Sequence, residues 1–88
     1  MYALDVRPSL DRKLRRLSRQ EPRRFELVLK KAAEIALNPQ HYKNLRAPLN
    51  HLKRVHIDAR FVLTFSVDEE RKRVILEDFD HHDRIYLR

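Results

Sequence analysis

From Leu52 to Asp80 the chain alternates apolar and polar side chains with a period of two, and no other stretch constrains the fold as tightly. Leu52 to Asp58 sets Lys53, Val55 and Ile57 against Arg54 and His56. Ala59 to Val67 sets Phe61, Leu63, Phe65 and Val67 against Arg60, Val62, Thr64 and Ser66. Successive side chains of a strand point to opposite faces, and β-branched and aromatic residues suit that pleated setting. Two strands turning near Ile57-Asp58-Ala59 are therefore expected. Asp68-Glu69-Glu70-Arg71 reads as the next turn, and Lys72 to Asp80 as a third long strand.

The first half carries a different period. Tyr2-Ala3-Leu4-Asp5-Val6 alternates weakly and reads as a short first strand stopped by Pro8. Ser9 is expected to cap a basic amphipathic helix, in which Leu10, Leu14 and Leu17 recur at i, i+4 and i+7 among Arg12, Lys13, Arg15, Arg16 and Arg19. Residues 18–22 break it, and Pro22 fits the first turn of a second helix. Phe25, Val28, Leu29, Ala32, Ala33 and Ala36 form the stripe of that helix, which Asn38-Pro39 ends. Residues 40–50 read as a loop.

The order is thus β-α-α-β-β-β, an α+β fold with two N-terminal helices packed on one face of an antiparallel-rich sheet and a short C-terminal tail. The polar alternates of the strands occupy the second face and leave it open to a ligand. With 88 residues and no repeat or linker, the chain is expected to form one domain over residues 1–88. Apolar residues at 42% beside 38% charged ones are enough for a core, which sets the chain apart from disordered sequences of similar charge.

The sequence has no cysteine, which excludes disulfides, thiolate zinc sites and cysteine catalysis. It has no glycine, so a turn that needs positive φ is expected to use Asn, Asp or His. No apolar run approaches the roughly 18 residues of a membrane span, and the N-terminus lacks the regions of a signal peptide, so a cytoplasmic protein without a membrane partner is expected. Residues 1–50 hold twelve Lys/Arg against five Asp/Glu, and residues 51–88 hold eight against eight, which places the whole net charge of +7 in the first half. Such a charge suits a polyanion or an acidic protein partner, or else simply a solvated surface.

Ionisable groups crowd the last eleven residues, Asp78-Phe79-Asp80-His81-His82-Asp83-Arg84-Ile85-Tyr86-Leu87-Arg88. Arg54 and His56, two apart on one strand, point to the open face, Arg60 sits across the turn, and His81, His82 and Tyr86 reach the same end if the tail folds back. Cleavage of RNA asks for a base at the 2′-hydroxyl, an acid at the departing 5′-oxygen and cations for the crowded phosphorane. His suits the first two tasks, Arg the third, and Tyr can stack on a base or orient a phosphate. Each group also has a plain reading: solvated strand faces for Arg54 and Arg60, a surface pair for His81-His82, a packing side chain for Tyr86. Asp78, Asp80 and Asp83 could join the histidines around a divalent ion, but the spacing matches no strong motif, and no metal or other cofactor is expected. If the last strand continued through His81-His82, only one of the two would face a given site.

The element order, Asn38-Pro39 closing the second helix, Leu52-Lys53-Arg54-Val55-His56-Ile57 leading into Phe61-Val62-Leu63-Thr64-Phe65, and the terminal Asp80-His81-His82-Asp83 with Ile85-Tyr86 resemble the RelE/ParE superfamily of toxins from type II toxin–antitoxin modules. More narrowly, the chain looks like the RelE-like branch common in archaea. The resemblance implies a metal-independent ribonuclease that cuts messenger RNA on the ribosome and is neutralised by an acidic cognate antitoxin, monomeric alone and in a higher assembly with that antitoxin. It places catalytic roles on Arg54, His56, Arg60, His82 and Tyr86, with Lys53, His81 and Arg84 as substrate-binding neighbours. Where the family often has Gly-His-Arg, this chain has Asp80-His81-His82, so the phosphate-stabilising guanidinium is replaced by imidazole or supplied by Arg84. His82 would then act as a general acid. A ParE-like inhibitor of DNA gyrase and a non-catalytic RNA- or protein-binding member are the alternatives.

Overall fold

A computed structural model describes residues 1–86. Strand β1 spans Ala3–Val6, helix α1 Pro8–Gln20 and helix α2 Pro22–Leu37. A single 3₁₀ turn at Pro39–His41 leads through a loop to β2 (Lys53–His56), β3 (Phe61–Asp68), β4 (Arg73–His81) and a short helix α3 (His82–Tyr86). The four strands form one sheet in the order β1-β4-β3-β2. The meander β2-β3-β4 is antiparallel, as the alternation implies, whereas β1 lies parallel to β4. Parallel neighbours need a long crossover, and here everything between Arg7 and Lys72 supplies it. No helix among the described residues is long and apolar enough to cross a membrane.

Helix α1 begins two residues earlier than a Ser9 cap would set it. Arg7 occupies the cap position in an extended conformation without a side-chain capping bond, and Pro8 starts the helix. Proline is tolerated there because the first amide of a helix has no acceptor to lose, so Ser9 falls inside. The Glu21 N–H donates to the Leu17 carbonyl at 2.8 Å, and Pro22 opens α2 at once, so one residue joins the two helices.

The main core gathers Leu10 and Leu14 of α1, Val28, Ala32 and Ile35 of α2, and Leu63, Phe65, Val74, Leu76 and Phe79 of the sheet. The stripe of α2 runs through Phe25, Val28, Ala32, Ile35 and Ala36, a spacing of threes and fours closed by one adjacent pair. Leu29, at 52% exposure, and Ala33 lie outside it. The buried residues of β4 are spaced by two from Val74 to Leu76 and then by three to Phe79. A bulge explains the change. Phe65 pairs with Leu76 but Thr64 with Asp78, so Glu77 is the extra residue and the parity of β4 flips beyond it.

The second face is only partly open. Val62 packs there with Leu45 of the loop and Ile85 of α3, and Leu49 and Leu52 flank them in a minor core. Loop and terminal helix thereby leave a cleft between them.

Among the described residues the one non-glycine with positive φ is Lys72, at 54°, and not an Asn, Asp or His. It closes the β3–β4 turn beside Glu69, whose carboxylate accepts from Tyr2, Gln40 and Lys72. The left-handed region costs a side-chain-bearing residue about 1–2 kcal/mol, and glycine escapes that cost at an entropic loss of about 0.5–1 kcal/mol. Lys72→Gly is therefore expected to stabilise the chain by about 0.5 kcal/mol, read as a higher urea midpoint with an unchanged slope.

Candidate functional site

Strand β2 presents its alternates as the period-two pattern requires. Lys53 and Val55 pair with Phe65 and Leu63 of the main core, while Arg54 and His56 pair with Thr64 and Val62 on the second face. Arg54 and His56 line a cleft of about 650 Å³, together with Tyr86 from α3 and Arg46, Leu45 and Pro48 from the loop. None of its lining residues is acidic. Two guanidiniums, an imidazole and a phenol thus surround an apolar floor, an arrangement that attracts a phosphate-bearing ligand with an unpaired base.

The tail folds back because β4 stops at His81 and a helical turn begins at His82. The His82 N–H donates to the Arg60 carbonyl at 2.8 Å, which pins the start of α3 to the β2–β3 turn. Ile85 then inserts into the minor core, and Tyr86, still 46% exposed, is carried to the cleft. His82 and Tyr86 are four apart and share one side of the turn, with ring centroids 6.4 Å apart. His82 therefore stands beside Tyr86 without itself lining the cleft. Since the strand does not continue through the histidine pair, His81 and His82 do not diverge; their rings stack at 4.6 Å. Asp83 faces both, with Oδ1 2.9 Å from His82 Nδ1.

The β2–β3 turn is anchored by Asp58, whose carboxylate accepts from the Arg60 and Phe61 N–H groups and from Arg24 of α2. Burial pushes the Asp58 carboxyl up, but these three donors outweigh it and hold the group below its ordinary value. Arg24 also pairs with Glu21 and lies 4.0 Å over the Phe61 ring, which in turn meets His81 edge-on at 5.7 Å. Further along the second face Glu77 is raised by burial and lowered more by Arg7 and Ser66, and so sits below its ordinary value.

The structure thus brings Arg54, His56 and Tyr86 together, whereas neither His82 nor His81 lines the cleft: the His82 ring lies 6.4 Å from that of Tyr86 and His81 stacks on His82. Lys53, Arg60 and Arg84 do not line the cleft. The Lys53 ammonium holds the loop through the Tyr42 carbonyl at 3.0 Å and Asn44 Oδ1 at 2.9 Å, on the face opposite to Arg54. Arg60 contributes its carbonyl to α3. Arg84 pairs with Asp80 at 3.1 Å and lines a separate groove against Lys13 and Arg16 of α1, so it does not deliver a guanidinium beside Arg54. Arg46 fills that role instead. Nothing in the alternation points to it, because its place depends on the path of an irregular loop.

No protein-family model matches the chain. It is 57% identical over 86 residues to a Methanocaldococcus jannaschii protein named "Putative toxin RelE4", covering 98% of this chain and 92% of that one. A Methanosarcina mazei protein is also 57% identical, over 98% of this chain and its own full length. Among solved structures, the fold is similar to the YoeB/ParE toxin from Agrobacterium tumefaciens (TM-score 0.81, 14% identity, 91% of this chain and 98% of that one). It is likewise similar to a chain of the RelBE2 toxin–antitoxin complex from Mycobacterium tuberculosis (TM-score 0.77, 23% identity, 91% and 96%).

Proposed function

The chain belongs to the RelE/ParE superfamily of toxins, in its archaeal RelE-like branch, and on that premise we propose that it is a ribosome-dependent endoribonuclease acting on messenger RNA. The observation that carries this reading is the convergence of Arg54, His56 and Tyr86, with Arg46, on one cleft without acidic lining.

In the proposed reaction His56 takes the proton of the substrate 2′-hydroxyl, whose oxygen attacks the adjacent phosphorus. His82 returns a proton to the departing 5′-oxygen as its bond to phosphorus breaks, leaving a 2′,3′-cyclic phosphate and a free 5′-hydroxyl. Arg54 and Arg46 stabilise the charge on the non-bridging oxygens, and Tyr86 stacks on the base beside the cut. Asp83 lies against that ring, with Oδ1 2.9 Å from His82 Nδ1. Arg60 acts through its carbonyl by fixing where α3 begins. An acidic antitoxin covers the basic helices and the cleft; the net charge of +7 and the likeness to a chain of a solved toxin–antitoxin complex support that partner.

Purified chain added to ribosomes translating a defined message is expected to cut within the coding sequence, and mapping should find 5′-hydroxyl ends downstream of each cut. His82→Ala is expected to lower the rate roughly 10²-fold, the lower range for one positioned acid. Growth arrest on induction with intact transcripts and damaged DNA would overturn the ribonuclease reading.

A further inference from the structure

We propose that His81, His82 and Asp83 form a binding site for one late first-row divalent cation, of the zinc(II) and copper(II) class. The switch from strand to helix between His81 and His82 puts on one side two rings that a continuing strand would separate. Both Nδ1 atoms face one carboxylate: His81 Nδ1 is 3.6 Å from Asp83 Oδ2, and His82 Nδ1 is 2.9 Å from Oδ1. One donor atom from each residue lies within 4.8 Å of the others, the only such grouping among the described residues.

The donor set decides the class of ion. Two imidazole nitrogens and one carboxylate oxygen suit zinc, copper or nickel, whereas magnesium and calcium favour oxygen alone. Ligand bonds of roughly 2.0–2.1 Å place tetrahedral ligand atoms about 3.3–3.4 Å apart, so the group contracts by small side-chain rotations. The side chains are 31%, 38% and 67% exposed, which leaves them room to rotate. His81 Nδ1 accepts from the Asp83 N–H at 3.2 Å, a bond that gives way when the ion takes that lone pair. At His82 the ion takes the Nδ1 lone pair and the ring proton sits on Nε2. Three protein ligands leave further positions for water or a phosphate oxygen. The ion also removes His82 from proton transfer, a consequence that rests on the role proposed for that residue.

The test is read without ribosomes. Zinc chloride titrated into tag-free chain is expected to show one equivalent bound with micromolar affinity by calorimetry, magnesium chloride no heat, and cobalt(II) a tetrahedral visible band. His81→Ala and Asp83→Ala should each weaken zinc about tenfold or more, as should Asp83→Asn, which keeps the side-chain size but not the charge, while His51→Ala binds as the parent does. Circular dichroism identical to the parent excludes unfolding as the cause. Equal zinc affinity in a His81→Ala/Asp83→Ala double variant, or no saturation at millimolar zinc, overturns the proposal.

Discussion

Arg54→Ala is expected to lower the cleavage of ribosome-bound message by about 10²–10³-fold, the usual consequence of removing one preorganised donor from a developing oxyanion, or about 2.7–4 kcal/mol. The loss should fall on kcat, because a guanidinium aimed at the phosphorane bonds more strongly to the transition state than to bound RNA. Stability should hardly change. The Arg54 main-chain N–H donates to the Lys43 carbonyl, and that bond survives the substitution. Arg54→Lys keeps the charge but not the planar fork and should recover only part of the rate. Unchanged cleavage in both Arg54→Ala and Arg46→Ala would show that the cleft is not where the phosphate is held.

The place of Arg54 is legible in the sequence because strand alternation fixes its face. Once Val55 and Ile57 are committed to the core, Arg54 and His56 must point the other way, and they do. The same logic locates α1 and most of α2 from leucine and alanine spacing. It fails where the period changes. The step from Leu76 to Phe79 carries the signature of the bulge in plain view, yet a reading in strict twos passes over it. The parallel pairing of β1 is not legible, since four residues exposed along their whole length bear no mark of a neighbour's direction.

The site is legible to the extent that its residues sit on regular elements. Arg46 escapes sequence reasoning because a loop has no period, and Leu45 beside it is buried only through the company of Val62 and Ile85. The place of Arg84 is hidden from the sequence for a related reason. A strand continuing past His81 or a free tail would let Arg84 reach the second face, but one helical turn sends it toward α1 and its Asp80 partner instead. Conversely, that turn brings His82 and Tyr86 to one side, which residue spacing shows only if the helix is assumed.

That helical turn depends on Ile85, and Ile85→Ala is the second large effect expected. The residue is 2% exposed and fills a small core with Leu45 and Val62, where truncation leaves a cavity that few neighbours can collapse into. The expected loss is about 2–4 kcal/mol, a large share of the roughly 5–15 kcal/mol that holds a domain folded. The damage should also be local. Without Ile85, α3 is held to the sheet mainly by the His82–Arg60 bond and the exposed Arg84–Asp80 pair, so His82 and Tyr86 lose their positions while α1, α2 and the main core remain. Cleavage should then fall at least about tenfold even at low temperature, where unfolding is negligible, since misplacing a catalytic group by about 1 Å can cost 10²-fold. Ile85→Val, which removes one methylene, should cost about 0.5–1.5 kcal/mol and keep most of the activity. Urea unfolding and cleavage on translating ribosomes, measured on the same preparations, separate the two consequences. A stability loss with full cleavage would mean that the tail takes no part in the reaction, and the roles given to His82 and Tyr86 would have to be withdrawn while that of Arg54 could stand.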